Sequence, residues 1–171
     1  MNAPKPTVHL MQGLPASGKT TIARRLVATG GGRLRRVSLD DLRHMLDSTG
    51  RETPWEPERE TSTVRAQAQM VRLLAGDGYD VVVDNTHLYP KQVLPVVHAL
   101  RGLPVEWRVH HRISVPLEVC LARDADRQKP VGRDVILRLH ERWLEALADG
   151  WSLTTGWLRE THLNQTAGVA R

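Results

Sequence analysis

Short segments rich in valine and leucine alternate along the chain with longer segments whose apolar residues recur three and four positions apart. The short segments predict four β-strands, at Thr7 to Gln12, Leu34 to Leu39, Asp80 to Asp84 and Val105 to Ile113. The consecutive valines at 81–83 are typical of a parallel strand that is covered on both faces. The pattern therefore favours a buried parallel sheet.

The longer segments predict amphipathic helices, because their apolar residues fall on one side of a helix. The helices are expected over Lys19 to Thr29, from a capping box at Ser38 and Asp41 through Leu46, and over Glu58 to Ala75, Pro90 to Leu100, Pro116 to about Arg127, and Arg133 to Gly150. Gly50 to Pro57 is expected to be an exposed loop, and 151–171 is weakly patterned.

Strands that alternate with helices imply an α/β fold, in which a parallel sheet of about four strands is flanked by helices on both faces. Ligands bind such sheets at the carboxyl ends of the strands. At 171 residues the chain is expected to form one domain, with a core over about 7–150 and a C-terminal extension over 151–171. Leu153, Trp157 and Leu158 are expected to dock on the domain, and the last few residues to fray.

Composition narrows the class of protein. A single cysteine, Cys120, excludes an internal disulfide framework. No apolar stretch approaches the ~20 residues of a membrane span, and residues 1–6 lack a signal-peptide pattern, so a cytoplasmic location is expected. The formal net charge of +5 and the pI near 10.0 favour a polyanionic partner such as nucleic acid, although an arginine-rich proteome would give the same balance.

Residues 13–20 have the glycine, lysine and hydroxyl spacing of a phosphate-binding loop, or P-loop, between a predicted strand and a predicted helix. Its glycines allow the loop amides to turn toward phosphate oxygens at the positive end of the helix. Lys19 is expected to reach the β- and γ-phosphates and Thr20 a magnesium ion. The alternative is a glycine-rich turn without a ligand. The expected nucleotide-binding set is Gly13, Pro15, Ala16, Ser17, Gly18, Lys19, Thr20 and Thr21.

Asp40 follows the second predicted strand and stands in the first turn of a helix, whose dipole favours the ionised carboxylate. Such a group can orient an acceptor hydroxyl toward a γ-phosphate and take its proton. Arg43, one turn later, can orient either Asp40 or an acceptor phosphate. The alternative is that Asp40 and Asp41 only cap the helix.

Asp84 ends the third predicted strand, where an acidic residue can share a magnesium ion with Thr20, often through water. The alternative is that Asp84 caps the following loop. His87 is expected to be a polar loop residue rather than a base or a metal ligand.

Arg123 and Arg127 lie one helical turn apart, ahead of a break at 129–132. Both guanidinium groups can therefore address one polyphosphate. As a helical lid that closes over the transferred group, they would stabilise charge in the transition state and exclude water. The alternative is a solvated face that is paired with Asp124 and Asp126.

Four blocks in chain order resemble the kinase domain of the polynucleotide 5′-hydroxyl kinases, the family of the T-even phage end-healing enzyme. They are residues 13–20, 38–43, 83–87 and 123–132, and the resemblance covers about residues 7–145. It implies a P-loop kinase-type fold with a helical lid, and ATP (or another NTP) and Mg²⁺ as cofactors.

The resemblance also implies roles for individual residues. The aspartate that matches Asp40 is the general base of that family, and the arginine that matches Arg43 contacts the acceptor end and the base. The arginines that match Arg123 and Arg127 belong to the nucleotide lid. The third block implies that Asn85 and Thr86 contact the acceptor, and its Asp-Asn-Thr arrangement is similar to that of the animal end-healing kinases.

The implied activity is transfer of the γ-phosphate of ATP to the 5′-hydroxyl end of RNA or DNA. Lys19, Asp40, Arg43 and Arg127 would form the catalytic set. Two alternatives are a small-molecule P-loop kinase, acting on a sugar, a nucleoside or an antibiotic, and a regulatory module that binds nucleotide without transferring phosphate. The preference for RNA or DNA and the oligomeric state are not determined by the sequence.

Overall fold

A computed structural model describes residues 4–46 and 57–167 of the chain. The strands are β1 (Thr7–Gln12), β2 (Leu34–Ser38), β3 (Asp80–Asp84) and β4 (Glu106–His111). The helices are α1 (Lys19–Thr29), α2 (Leu39–Leu46), α3 (Pro57–Gly76), α4 (Pro90–Ala99), α5 (Leu117–Ala125), α6 (Arg133–Ala148) and α7 (Thr155–Ala167). In the part of the chain described, no helix has the length and apolar character needed to cross a bilayer.

The four strands form one parallel sheet in the order β2-β3-β1-β4, which confirms the predicted fold class. The all-valine centre of β3 lies between β2 and β1, where both faces of the strand are covered. Ser38 pairs with Asp84 in register at the ends of β2 and β3, and Gln12 pairs with His111 at the ends of β1 and β4. The carboxyl ends of the strands therefore meet at one edge of the sheet, where β1 leads into the P-loop.

Alternate side chains of the strands pack against helices on opposite faces of the sheet. On one face, Met11 and Val82 pack with Ala23 of α1 in a small buried cluster. On the other face, Leu10 and Val83 belong to a larger core to which α3, α4 and α7 contribute. This two-sided burial fixes the start of α1 against the ends of β1 and β3.

Several element ends lie one or two residues from their predicted positions; β4, for example, spans Glu106–His111 rather than Val105 to Ile113. Two helices differ from the predictions for reasons that the packing shows. Helix α5 ends at Ala125, so Arg127 lies in the following turn, because the buried Asp124 carboxylate accepts the N–H groups of Val131 and Gly132. The C-terminal extension forms α7, although its sequence pattern is too weak to predict a helix. Tertiary packing stabilises this helix in place of intrinsic amphipathicity.

The docking residues of the extension are confirmed. Leu153 and Leu158 are buried in the larger core, and Trp157 packs against that core. The ring of Trp157 meets that of Trp151 edge to face, with the centroids 4.7 Å apart. Of the loop predicted over Gly50 to Pro57, residues 50–56 lie outside the described residues, and Pro57 begins α3. Residues 168–171, at the end that is predicted to fray, also lie outside the described residues.

Candidate active site

The P-loop turns through backbone angles that favour glycine. The φ angles are +150° at Gly13, +60° at Ala16 and +90° at Gly18. A Cβ atom on Gly13 would lie 2.9 Å from the carbonyl oxygen of Arg112, so only glycine fits there. The Gly13 amide donates to the carbonyl of Thr86 at 2.9 Å. The loop is therefore held between the ends of β3 and β4.

The remaining predicted nucleotide-binding residues lie around the start of α1. Pro15 and Thr20 are half-buried, Thr21 is exposed and Ser17 is fully buried. Within the described residues the Ser17 hydroxyl has no hydrogen-bond partner. The first turn of α1 contains no acidic residue, so its free amides and the helix dipole present positive charge. This geometry suits an anion at the loop.

Lys19 is buried, with 7% of its surface exposed, and its Nζ donates to the carbonyl of Leu14 at 2.6 Å. Burial lowers the pKa of Lys19 from 10.5 to about 8, opposed by the negative charges of Asp84 and Asp40. The positive charge of Arg127 lowers the pKa further. The side chains that sequence analysis assigns as the base, a metal ligand and a lid arginine thus all change the pKa of the P-loop lysine.

Asp84 is buried at the end of β3 and is paired with an arginine that the sequence analysis does not identify. Arg36 of β2 donates to Asp84 Oδ2 through Nε at 2.9 Å and through Nη2 at 2.7 Å. The same guanidinium pairs with Asp41 on α2. Burial lowers the pKa of Arg36, but its hydrogen bonds and charge interactions with both carboxylates outweigh that effect and raise the pKa.

Asp40 and Arg43 form an ion pair on α2. A second carboxylate from α3 holds the arginine: Glu60 accepts from Arg43 Nε at 2.9 Å and from Nη2 at 2.6 Å. This two-point contact orients the guanidinium. The Asp40 side chain keeps 76% of its surface exposed and can therefore meet an acceptor from solvent. Asp41, in turn, has its amide capped by the Ser38 hydroxyl at 3.3 Å, which confirms the predicted helix start.

Asn85 and Thr86 follow Asp84 and lie beside the P-loop. The Asn85 side-chain oxygen accepts from the Thr86 amide at 2.7 Å, and the Thr86 carbonyl accepts from Gly13. His87 comes next, at φ +44°, and is completely buried. Its Nδ1 donates to the carbonyl of Met11 at 2.7 Å, and burial lowers the pKa of His87 to about 4. His87 is therefore a neutral buried residue that anchors β1 to the loop after β3.

The predicted lid lies around the end of α5. Arg123 and Arg127 are exposed, and Arg127 Nη1 lies 3.5 Å from Asp124 Oδ1. The buried Asp124 carboxylate also accepts the amide of Val131 at 3.2 Å and that of Gly132 at 2.9 Å. Asp124 thus ties the segment 128–132 to α5. The alternative of a solvated face paired with Asp124 and Asp126 is only partly correct, because the carboxylate that pairs with Arg127 is buried.

The residues that sequence analysis missed act through long-range contacts. Arg36 meets Asp84 across 48 positions, and Arg43 meets Glu60 across 17. The β2–β3 register supplies the first contact, because it places Ser38 opposite Asp84. Among the described residues, no cluster of three His, Cys, Asp or Glu side chains is placed to hold a metal ion.

A four-stranded parallel sheet with helices on both faces and a P-loop at the carboxyl end of β1 defines a P-loop kinase-like fold. A family model described as an AAA domain matches residues 8–149, most of the chain. The chain therefore belongs to this AAA domain family. No curated protein matches the chain.

Solved structures share the fold at low sequence identity. A chain of the Pnkp1/Rnl/Hen1 RNA repair complex superimposes with a TM-score of 0.68 and 20% identity, covering 86% of this chain and 46% of that one. A second Pnkp1/Rnl/Hen1 structure gives 0.57 and 24%, over 75% and 42%. A sugar kinase from Janibacter sp. HTCC2649 gives 0.53 and 22%, over 95% and 94%. The chain spans less than half the length of the repair-complex chains.

Proposed function

We propose that the chain is an ATP-dependent kinase that transfers a γ-phosphate to the 5′-hydroxyl end of RNA or DNA. The observation that carries the proposal is the shared environment of Lys19. Burial lowers the pKa of this P-loop lysine, the negative charges of Asp84 and Asp40 oppose that effect, and the positive charge of Arg127 adds to it. The charges of a candidate base, a candidate metal ligand and a lid arginine thus all reach the group expected to bind the phosphates.

In this proposal, Asp40 accepts the proton of the acceptor hydroxyl while the hydroxyl oxygen forms a bond to the γ-phosphorus. The bond from that phosphorus to the β,γ-bridging oxygen breaks, and ADP leaves. Lys19 and Arg127 stabilise the negative charge of the transferred group. Arg43, fixed by Glu60, holds the Asp40 carboxylate in place during proton transfer.

The residues present fit a magnesium ion bound together with the nucleotide. Both hydrogen bonds from Arg36 go to Oδ2 of Asp84 and neither goes to Oδ1, and the hydroxyl of Thr20 stands in the first turn of α1. The carboxylate and the hydroxyl are both hard oxygen donors of the kind that Mg²⁺ prefers. When bound, the ion would neutralise charge on the β- and γ-phosphates.

Two features favour a polynucleotide acceptor. The net charge of +5 suits a polyanion, and the exposed Asp40 carboxylate is open to the end of a polymer. The resemblance of residues 38–43 to the polynucleotide kinases and the structural similarity to the Pnkp1/Rnl/Hen1 chains agree with this choice. A small-molecule kinase is the second candidate, because the Janibacter sugar kinase matches almost the whole length of this chain.

An acceptor panel with γ-labelled ATP tests the proposal. We expect labelled phosphate on 5′-hydroxyl RNA or DNA of matched sequence, and none on 5′-phosphorylated oligonucleotides or free sugars. Asp40→Asn should lower kcat by about 100-fold or more, since general-base catalysis typically contributes 10²–10⁴-fold. Asp41→Asn is the matched control, because it removes a neighbouring charge while Arg36 keeps both bonds to Asp84.

Three outcomes would contradict the proposal. Transfer to a sugar or nucleoside in preference to an oligonucleotide would favour the second candidate. Full activity of Asp40→Asn would remove the base from the mechanism. Nucleotide binding without transfer to any acceptor would indicate a regulatory module.

A further inference from the structure

Arg112 follows β4 and lies against the P-loop, although the mechanism above gives it no role. Its backbone N–H donates to the carbonyl of Gln12 at 2.6 Å, and its Nε donates to the carbonyl of Ser17 at 3.2 Å. Its Nη2 lies 3.9 Å from the position that a Cβ atom would take on Gly18. The guanidinium is therefore beside the residue that caps α1, where the phosphate-binding amides begin.

The Arg112 charge has no carboxylate partner among the described residues. Arg36, Arg43 and Arg127 each form an ion pair, whereas none of the ion pairs in the described ranges includes Arg112. The side chain is nevertheless half-buried against the loop. A partly desolvated cation without a counter-ion is unfavourable, and an anion bound in the loop would offset that cost.

The geometry restricts how Arg112 can act. Its Nε is occupied by the Ser17 carbonyl, so the Nη atoms carry the remaining donors of the guanidinium. These donors lie on the flank of the loop next to Gly18, on the side of β4 rather than on the side of Asp84. Arg112 thus approaches the loop from the β4 side of β1, whereas Asp84 lies on the β3 side.

We propose that Arg112 is a nucleotide-binding residue whose Nη donors pair with the polyphosphate of a nucleotide in the P-loop, while its Nε fixes the loop carbonyl of Ser17. The proposal rests on the donor half of the proposed function and requires no particular acceptor. Arginine suits both tasks, because its planar fork can hold a carbonyl and a phosphate oxygen at once.

Equilibrium binding of ADP and of pyrophosphate, without acceptor, tests this assignment. Arg112→Gln should weaken both by about tenfold or more, the loss of a charge-assisted hydrogen bond. Arg112→Lys keeps a positive charge but not the fork, and should weaken both by about threefold. The matched control is Arg108→Gln, which removes an exposed arginine from β4, the strand that leads to Arg112, and should change binding less than about twofold.

The outcomes separate binding from a purely structural role. ADP and pyrophosphate binding within twofold of wild type in Arg112→Gln overturns the proposal, as does equal weakening by the glutamine and lysine variants, which would indicate a brace without charge contact. Thermal unfolding without nucleotide identifies a variant that fails to fold, and the lysine variant then carries the test. Intact ADP binding in a protein that phosphorylates no oligonucleotide would refute the proposed acceptor and leave the Arg112 assignment standing.

Discussion

Replacing Lys19 by methionine is expected to stabilise the nucleotide-free protein and to abolish nucleotide-dependent chemistry. The ammonium is buried, with 7% of its surface exposed, and its pKa is lowered from 10.5 to about 8, chiefly by burial. A shift of one pKa unit corresponds to about 1.4 kcal/mol. The charged lysine therefore costs the folded state about 3 kcal/mol at pH 7.

Two local contacts determine how much of this cost the substitution recovers. Methionine loses the hydrogen bond from Nζ to the Leu14 carbonyl, which is worth about 1 kcal/mol. Asp84 does not become an unpaired buried charge, because Arg36 keeps both hydrogen bonds to it. We therefore expect Lys19→Met to raise the free energy of unfolding by about 2 kcal/mol at pH 7.

Urea unfolding of both proteins between pH 7 and pH 10 measures this difference. The pKa of Lys19 is lower in the folded state, so the unfolded chain binds more protons between about pH 8 and pH 10.5. Wild-type stability therefore rises through this window relative to the variant, and the advantage of methionine shrinks. Lys91→Met, at an exposed lysine, is the control and should show neither effect. A variant that is less stable than wild type at pH 7, or an advantage independent of pH, would refute the reasoning.

Two further substitutions test the loop and the lid. Gly13→Ala should lower the free energy of unfolding, measured by chemical denaturation, by about 1–3 kcal/mol and prevent ADP binding, because the new Cβ would lie 2.9 Å from a backbone oxygen. The control is Gly31→Ala, which is also at positive φ but has open space around the new Cβ, and it should leave ADP binding intact. Asp124→Asn should speed tryptic cleavage after Arg127 and raise the KM for ATP, because the segment after α5 loses the buried carboxylate that accepts the amides of Val131 and Gly132. The control Asp126→Asn should do neither, and unchanged cleavage of Asp124→Asn would refute a tie between this segment and α5.

Local features of the site were predictable from the sequence, and long-range contacts were not. The P-loop order, the capping of Asp41 by Ser38 and the buried valine strand depend on neighbouring residues, and the structure contains all three. The pairing of Arg36 with Asp84 depends on the register of β2 against β3, which a single sequence does not specify. The sequence around Arg36 therefore does not indicate that this arginine pairs with Asp84.

Long-range contacts also explain why the helix ends were predicted incorrectly. The spacing of apolar residues extends the fifth helix to about Arg127, yet the chain turns at Ala125 because Asp124 accepts amides from residues beyond the break. A buried carboxylate looks like an ordinary surface charge in the sequence. The C-terminal helix shows the converse: its pattern is weak, and Leu158 is buried only because the sheet and α4 provide a surface for it.

Lys19 and Asp40 differ in burial in a way that follows from their proposed partners. The partner of Lys19 arrives inside the loop, so the lysine is held in place before the nucleotide binds, at a cost in stability. Asp40 must release one acceptor and meet the next, so its carboxylate stays exposed while Arg43 and Glu60 fix its orientation from α2 and α3. Acceptor choice is then expected to depend on residues around this open carboxylate, whereas donor binding depends on the buried loop. Substitutions at Glu60 should consequently affect acceptor kinetics and leave ADP affinity unchanged.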